Sequence, residues 1–328
     1  MGWSIYRPEF TTAARLFREQ LRQDKPGCSR LFGQPLKRVP HERLETEVWR
    51  TLFCDAMPGL PPLEAAVLLD ENIWCREGRH IFFPVPGLLP RLYRAKIDVT
   101  VDEFRMPRSS FIFALPADET FGDMALPSCL VGCWDWATKQ KHVHWLEEQF
   151  GMLPVHYSSD STGGSSLFFS VLDRQAATAI RWSIPLARLA PVLACGPDSP
   201  EEFEQVIGLY PAEMGSLPVA RDEQRMQYRL TKLLAALCIY LRACPDALVD
   251  GVPPPAQGLV PRFSKGHEVG RKHIDAERNR PIGHWREWHF RRYPLQRNGS
   301  RREGVVFVTG AWVSGREQLH TVNERNPA

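Results

Sequence analysis

The chain has 328 residues, 43% of them apolar and 24% charged, with a formal net charge of +3. These are the proportions of a soluble globular protein long enough to hold a sizeable core in about two units. No apolar run reaches the ~18–20 residues that cross a bilayer, and Met1 to Pro8 lacks the charged, apolar and cleavage regions of a secretory signal. Eight cysteines stand singly in apolar surroundings, a pattern of reduced, buried thiols rather than disulfides. The expectation is a cytoplasmic protein without a cofactor.

In chain order, Phe10, Ala14, Phe17 and Leu21 recur at helical spacing while Arg15, Arg18 and Arg22 mark another face. This predicts a helix over 10–23, ended by Pro26-Gly27. A second helix is expected over 41–56 with Leu44, Val48 and Leu52 inward, and a third begins at Leu63. From about residue 73 the period changes to that of strands. Ile81-Phe82-Phe83, the alternating run Ala95 to Phe104 and the apolar run Phe111 to Leu115 all read as strands. Cys129 to Trp136 and His142 to Leu146 read as a hairpin, and Leu167 to Leu172 and Thr178 to Ile184 as two further strands after a polar loop, Ser158 to Ser166.

Helices then return. One covers Pro185 to Leu193, a capped start stands at Ser199-Pro200-Glu201-Glu202, and a long helix runs from Ala220 to Ala243. Met226, Leu230, Leu233, Leu237 and Leu241 form the apolar stripe of the long helix. Strands grouped between helices argue for an α+β fold, with helices flanking a central antiparallel sheet and a small basic C-terminal β-hairpin module. The domain reading is a body over 1–251, a proline-rich linker over 252–261, a basic aromatic module over 262–316 and a frayed tail over 317–328.

Charge is uneven along the chain. Residues 262–328 carry 14 Lys/Arg and 7 Asp/Glu, against 27 and 31 in the residues before them. An acidic body joined to a basic end is the footprint of contact with nucleic acid or an acidic partner. The most basic and aromatic stretch runs from Arg280 to Tyr293, followed by the turn signal Asn298-Gly299 and the apolar strand Val305 to Val308. Within it Arg280, His284, Trp285, Arg286, His289, Arg291, Arg292 and Tyr293 are candidate nucleic-acid or partner-binding residues. Guanidinium groups neutralise phosphates, and flat rings stack on bases or anchor a partner. Strand alternation sets Trp288 and Phe290 on one face and His289 and Arg291 on the other, with the Trp288 face expected to pack on the body. Arg221, Arg225, Arg229 and Lys232 form a second basic surface along the long helix, with a plain solvated face as the simpler reading.

Other chemistry is thinly signalled. Cys129 and Cys133 with His142 and His144 offer zinc-type ligands. On a strand, however, those thiols stand about 13 Å apart, too far for one ion, so no metal is expected. No serine-hydrolase elbow, phosphate-binding loop or dinucleotide fingerprint is present. His267, His273, His284 and His289 lie among arginines, which leaves a histidine-dependent ribonuclease as the enzymatic alternative.

Gly283-His284-Trp285 is preceded by Arg280-Pro281 and followed by Trp288, and the later strand ends Val306-Phe307-Val308-Thr309-Gly310. This pattern resembles a C-terminal signature of a phage and mobile-element protein family. The family includes the anti-CRISPR type V-A inhibitor that blocks biogenesis of the CRISPR effector nuclease. The resemblance implies a non-enzymatic inhibitor in the cytoplasm of a bacterial host. Its partner would be the nascent N-terminal peptide of a type V-A effector, whose mRNA is lost as a result, with ribosome or RNA as a further partner. Where the family has two arginines before Gly-His-Trp, this chain has Pro281-Ile282. An RNA- or ribosome-binding protein without an anti-CRISPR role is the other non-enzymatic reading.

Overall fold

The computed structural model describes residues 2–56, 59–60, 62–98, 104–150, 165–173, 178–194, 221–278, 288–292 and 305–308. Phe10, Ala14 and Leu21 are buried along the first helix, α1 (Glu9–Gln23). The helix ends at Gln23 as expected, and Pro26-Gly27 lies in the first turn of the next one. Asp24 accepts the Gly27 N–H at 2.9 Å and starts α2 (Lys25–Phe32), which closes on Gly33 in left-handed backbone. Two more helices follow, α3 (His41–Arg50), extended by a wide π-turn over Thr51–Ala56, and α4 (Pro62–Arg76).

The chain then builds β1 (His80–Pro84), α5 (Leu88–Arg94), β2 (Lys96–Asp98), β3 (Ser110–Phe113) and β4 (Cys129–Trp134). The next elements are α6 (Trp136–Phe150), β5 (Ser166–Asp173), β6 (Thr178–Pro185) and α7 (Leu189–Ala194). The long helix α8 (Arg221–Ala243) leads to β7 (Leu248–Asp250), β8 (Lys265–Val269) and α9 (Arg271–Arg278), then to β9 (His289–Arg292) and β10 (Val305–Val308). The capped start expected at Ser199 and most of the loop expected from Ser158 lie outside the described residues.

Seven strands form the main sheet in the order β6-β5-β4-β3-β1-β8-β7. The α+β class holds, but the sheet is mixed rather than wholly antiparallel. β1 runs parallel to both β3 and β8, and the other pairs are antiparallel. Parallel neighbours need a crossover, and the segment holding α5 and β2 supplies one between β1 and β3. Side-chain alternation on β1 divides the core. Phe82 joins the cluster around α8, while Ile81 and Phe83 join Trp74, Ile112 and Leu130 on the opposite face.

The expected hairpin over 129–146 is a strand followed by a helix. Asp135 accepts the Thr138 N–H at 2.8 Å and opens α6, in which His142 and Leu146, four residues apart, are both buried.

The stretch read as a linker is packed, since Ala256 is fully buried against the Ile81–Phe83 face. Strand β8, from the part read as a separate module, pairs with β1 from Lys265↔His80 to Val269↔Pro84. A strand placed between β1 and β7 shares its ladder with the body. The described part of residues 262–316 is therefore continuous with the body's sheet rather than a detached hairpin.

Two sheets enclose α8. The hairpin expected near the C-terminus is formed by β9 and β10, in register from His289↔Val308 to Arg292↔Val305. It is extended by β2 in parallel, giving a three-stranded sheet. Tyr240 on α8 meets Phe307 edge-on at 5.3 Å between ring centres. With sheet residues on both sides, α8 is buried all round from Met226 to Leu241.

Candidate anion-binding cleft

Pro8 precedes α1 and has no side-chain oxygen to cap it. The cap comes from α4 instead. Glu71 accepts the Glu9 N–H at 2.9 Å and the Tyr6 hydroxyl at 2.8 Å on one oxygen, and the Phe10 N–H at 3.0 Å on the other. Burial pushes the Glu71 carboxyl up to about 7, although those three donors favour its ionised form. On the inner face of α1, Phe10 stacks on Trp49 at 4.2 Å. The face carrying Arg15, Arg18 and Arg22 is left over a cleft of about 260 Å³, which Arg79 and Arg262 also line.

Few acids balance these five guanidinium groups. Arg79 reaches Glu45 at 2.5 Å, and Arg15 pairs with Glu19 at 3.0 Å on the exposed rim. Arg18 lies 2.8 Å from His41 Nε2, while His41 Nδ1 faces Glu45 at 3.3 Å. An arginine can only donate, so His41 Nε2 accepts and its Nδ1–H points to Glu45. Burial holds His41 below its usual range, with Glu45 opposing and Arg18 and Arg79 adding to the shift. Burial and the nearby Arg262 also lower Arg18. Among the described residues no carboxylate pairs with Arg18, Arg22 or Arg262.

The backbone beside the cleft is unusual. Arg79 (φ 57°) and Phe263 (φ 64°) are the two non-glycine residues with positive φ among those described. Left-handed backbone costs an L-residue roughly 1–2 kcal/mol. The Arg79 carbonyl accepts the Lys265 N–H at 3.0 Å, so both residues sit where β1 and β8 begin to pair. Phe263 is 55% exposed, its ring 4.2 Å from that of His41 and 5.2 Å from the Arg262 guanidinium.

The residues singled out from the sequence fall elsewhere. Arg280, His284, Trp285, Arg286 and Tyr293 lie outside the described residues. On β9, His289 is half-buried and Arg291 exposed, and Arg292 is in the strand although its side chain is not among those described. Trp288 and Phe290 are buried, on the inward face expected for them.

Two of the four residues of the second basic surface, Arg229 and Lys232, are interior. Arg229 is buried and bonded to Asp123 Oδ1 at 3.0 Å, and Lys232 is buried with its ammonium 5.5 Å from the Tyr93 ring centre. Arg225 is half-buried, 3.9 Å from Asp123, and Arg221 starts the helix with its side chain outside the described set. A basic stripe on an isolated helix becomes interior once layers close around that helix. The zinc-type set also comes apart. Cys129 is buried in the core, His142 meets Arg76 at 2.9 Å, and His144 is exposed beside Glu147 and Glu148.

A further histidine arrangement crosses the sheet. His80 Nδ1 lies 2.7 Å from His267 Nε2, and His267 Nδ1 lies 2.7 Å from Asp250 Oδ1. Both residues are buried. Burial and the adjoining His267 bring His80 down to about 4, and burial lowers His267 against the pull of Asp250. His273 is engaged with the Tyr240 hydroxyl at 2.5 Å.

The arginine stripe of α1 was visible as a pattern, but Arg79 and Arg262 reach the cleft only through folding. No protein-family model, no curated protein and no solved structure matches the chain. Among the described residues no helix is long and apolar enough to cross a membrane.

Proposed function

We propose that this chain is a non-enzymatic inhibitor of a type V-A CRISPR–Cas system that recognises the nascent N-terminal peptide of the effector nuclease and promotes loss of its mRNA. The single observation supporting it is the packing of the segment from Trp288 to Arg291. Trp288 and Phe290 are driven into the core while Arg291 stays exposed, which leaves Arg291 on the outer face of a packed strand where it can face a ribosome. The arginine-lined cleft adds a second cationic surface suited to the same phosphate-rich setting. Immobilised N-terminal peptides of several type V-A effectors should retain the protein. Expression of the chain should lower the level of an mRNA beginning with that coding segment. Absence of retention on every peptide tested rejects the reading.

A second reading, RNA or ribosome contact with no CRISPR partner, is favoured by the exposure of Arg291 next to half-buried His289. It predicts RNA binding that weakens steeply with salt, with a shallower slope after replacement of Arg291 and Arg292. A histidine-dependent ribonuclease is less supported, because His267 and His273 are engaged within the fold. Intact RNA after long incubation with the protein excludes it.

A further inference from the structure

We propose that the cleft between α1, α3 and the Arg262–Phe263 turn is a binding site for the phosphate group of a nucleotide, with the Phe263 ring as the platform for its base. The site deepens the ribosome- and RNA-facing part of the function proposed above by naming a ligand. Its test involves no CRISPR component, so failure of the inhibitor reading leaves it standing.

Four observations carry it. First, cationic charge is in excess, because among the described residues Arg18, Arg22 and Arg262 face the cleft with no carboxylate paired to them, and Glu45, the one acidic residue of its lining, is already held by Arg79. A phosphate brings three strong acceptor oxygens and a charge of roughly −1.5 to −2, and the guanidinium fork fits it. Second, the volume of about 260 Å³ lies below the ~300–1,000 Å³ of pockets that engulf drug-sized ligands. It suits a phosphate and its sugar, with the base held outside. Third, an exposed phenylalanine adjoins two of the lining residues, with His41 and Arg262 against its ring. Base–aromatic stacking is worth about 1–3 kcal/mol per base, whereas an unoccupied exposed ring only costs hydration.

Fourth, the backbone is strained at both Arg79 and Phe263 and at no other described non-glycine residue. Strain of that kind persists where the surrounding structure over-determines it, and it clusters at ligand sites. An acidic peptide would satisfy the arginines but makes no use of Phe263, so the nucleotide is favoured.

The test is calorimetric titration of the full chain at low salt with inorganic phosphate, a nucleoside 5′-monophosphate, a short oligoribonucleotide lacking terminal phosphates, and a glutamate-rich peptide. The monophosphate should bind at least about tenfold more tightly than inorganic phosphate, as one stacked base predicts. Arg18→Gln combined with Arg262→Gln should weaken every phosphate ligand about tenfold or more, and Arg22→Gln, on the exposed surface of α1, should act in the same direction without disturbing the fold. Phe263→Ala should remove the advantage of the monophosphate and leave inorganic phosphate unchanged. Binding of the oligoribonucleotide at the same strength supports the site and assigns it an internal phosphate. Binding of the monophosphate alone supports the site and assigns it a terminal phosphate. Equal binding by wild-type protein and all variants, no binding by any phosphate ligand, or tighter binding of the glutamate-rich peptide overturns the proposal.

Discussion

Glu71 holds the Phe10 backbone N–H at 3.0 Å, so the first helix is capped by a side chain from the fourth. The same contact fixes the rotation of α1 and with it the positions of Arg15, Arg18 and Arg22. A single buried carboxylate thereby ties a helix terminus to the geometry of the cleft.

That carboxylate gives a pH signature. The folded value for Glu71 is raised to about 7 from the ordinary 4.5, so the stability linked to its protonation is complete below about 4.5 and lost as pH rises through about 7. Over that window its contribution falls by at most about 1.4 kcal/mol per pH unit. Glu71→Gln should flatten this part of the stability profile while weakening the cap. Denaturant unfolding of both proteins from pH 4.5 to 8 measures it, and parallel profiles would refute the assignment.

Histidines act in the opposite sense. His142 is brought down to about 4, by burial first and then by Arg76, with Glu77 opposing. Its folded value lies below the ordinary 6.5, so its contribution is present above about 6.5 and lost as pH falls toward about 4. His80 behaves in the same way beside His267. His142→Gln should therefore reduce the loss of stability between pH 6.5 and 4, as read from unfolding midpoints in urea.

Trp288 and Phe290 anchor the C-terminal sheet to α8. Trp288→Ala should cost about 3–5 kcal/mol if the whole fold responds as one cooperative unit. A much smaller loss, with amide exchange raised only in β9 and β10, would show that this sheet opens separately from the main one.

Phe263 has positive φ and an exposed ring. Phe263→Gly should release the strain and raise stability by about 1 kcal/mol, since glycine adopts that backbone without penalty. The same change should abolish the nucleotide preference of the cleft. A gain in stability with loss of binding is the trade expected of a strained functional position, and thermal unfolding beside the titration reads both.

Gly122 also has positive φ (67°), and a Cβ there would come within 2.7 Å of the Arg229 guanidinium. Gly122→Ala should displace Arg229 from Asp123 and destabilise the protein, by thermal unfolding, more than Gly251→Ala, where nothing crowds the added carbon and only the backbone is affected.

Local periodicity determined much of the fold. The spacing of Phe10, Ala14 and Leu21, the apolar run at Phe111 and the stripe from Met226 to Leu241 each locate an element, because each pattern is complete within one segment. The inward face of Trp288 and Phe290 was legible for the same reason. What the sequence left undecided depended on distant partners. Arg229 and Lys232 look like surface residues until Asp123 and Tyr93 arrive from elsewhere in the chain. Asp135 reads as part of a hairpin strand until it opens a helix, and β8 reads as part of a separate module until it fills a place beside β1. The cleft belongs to this second kind, for Arg18, Arg79 and Arg262 meet only when α1 and the ends of two parallel strands are packed together. Periodicity encodes which face of an element is buried, and tertiary packing decides what that face is buried against.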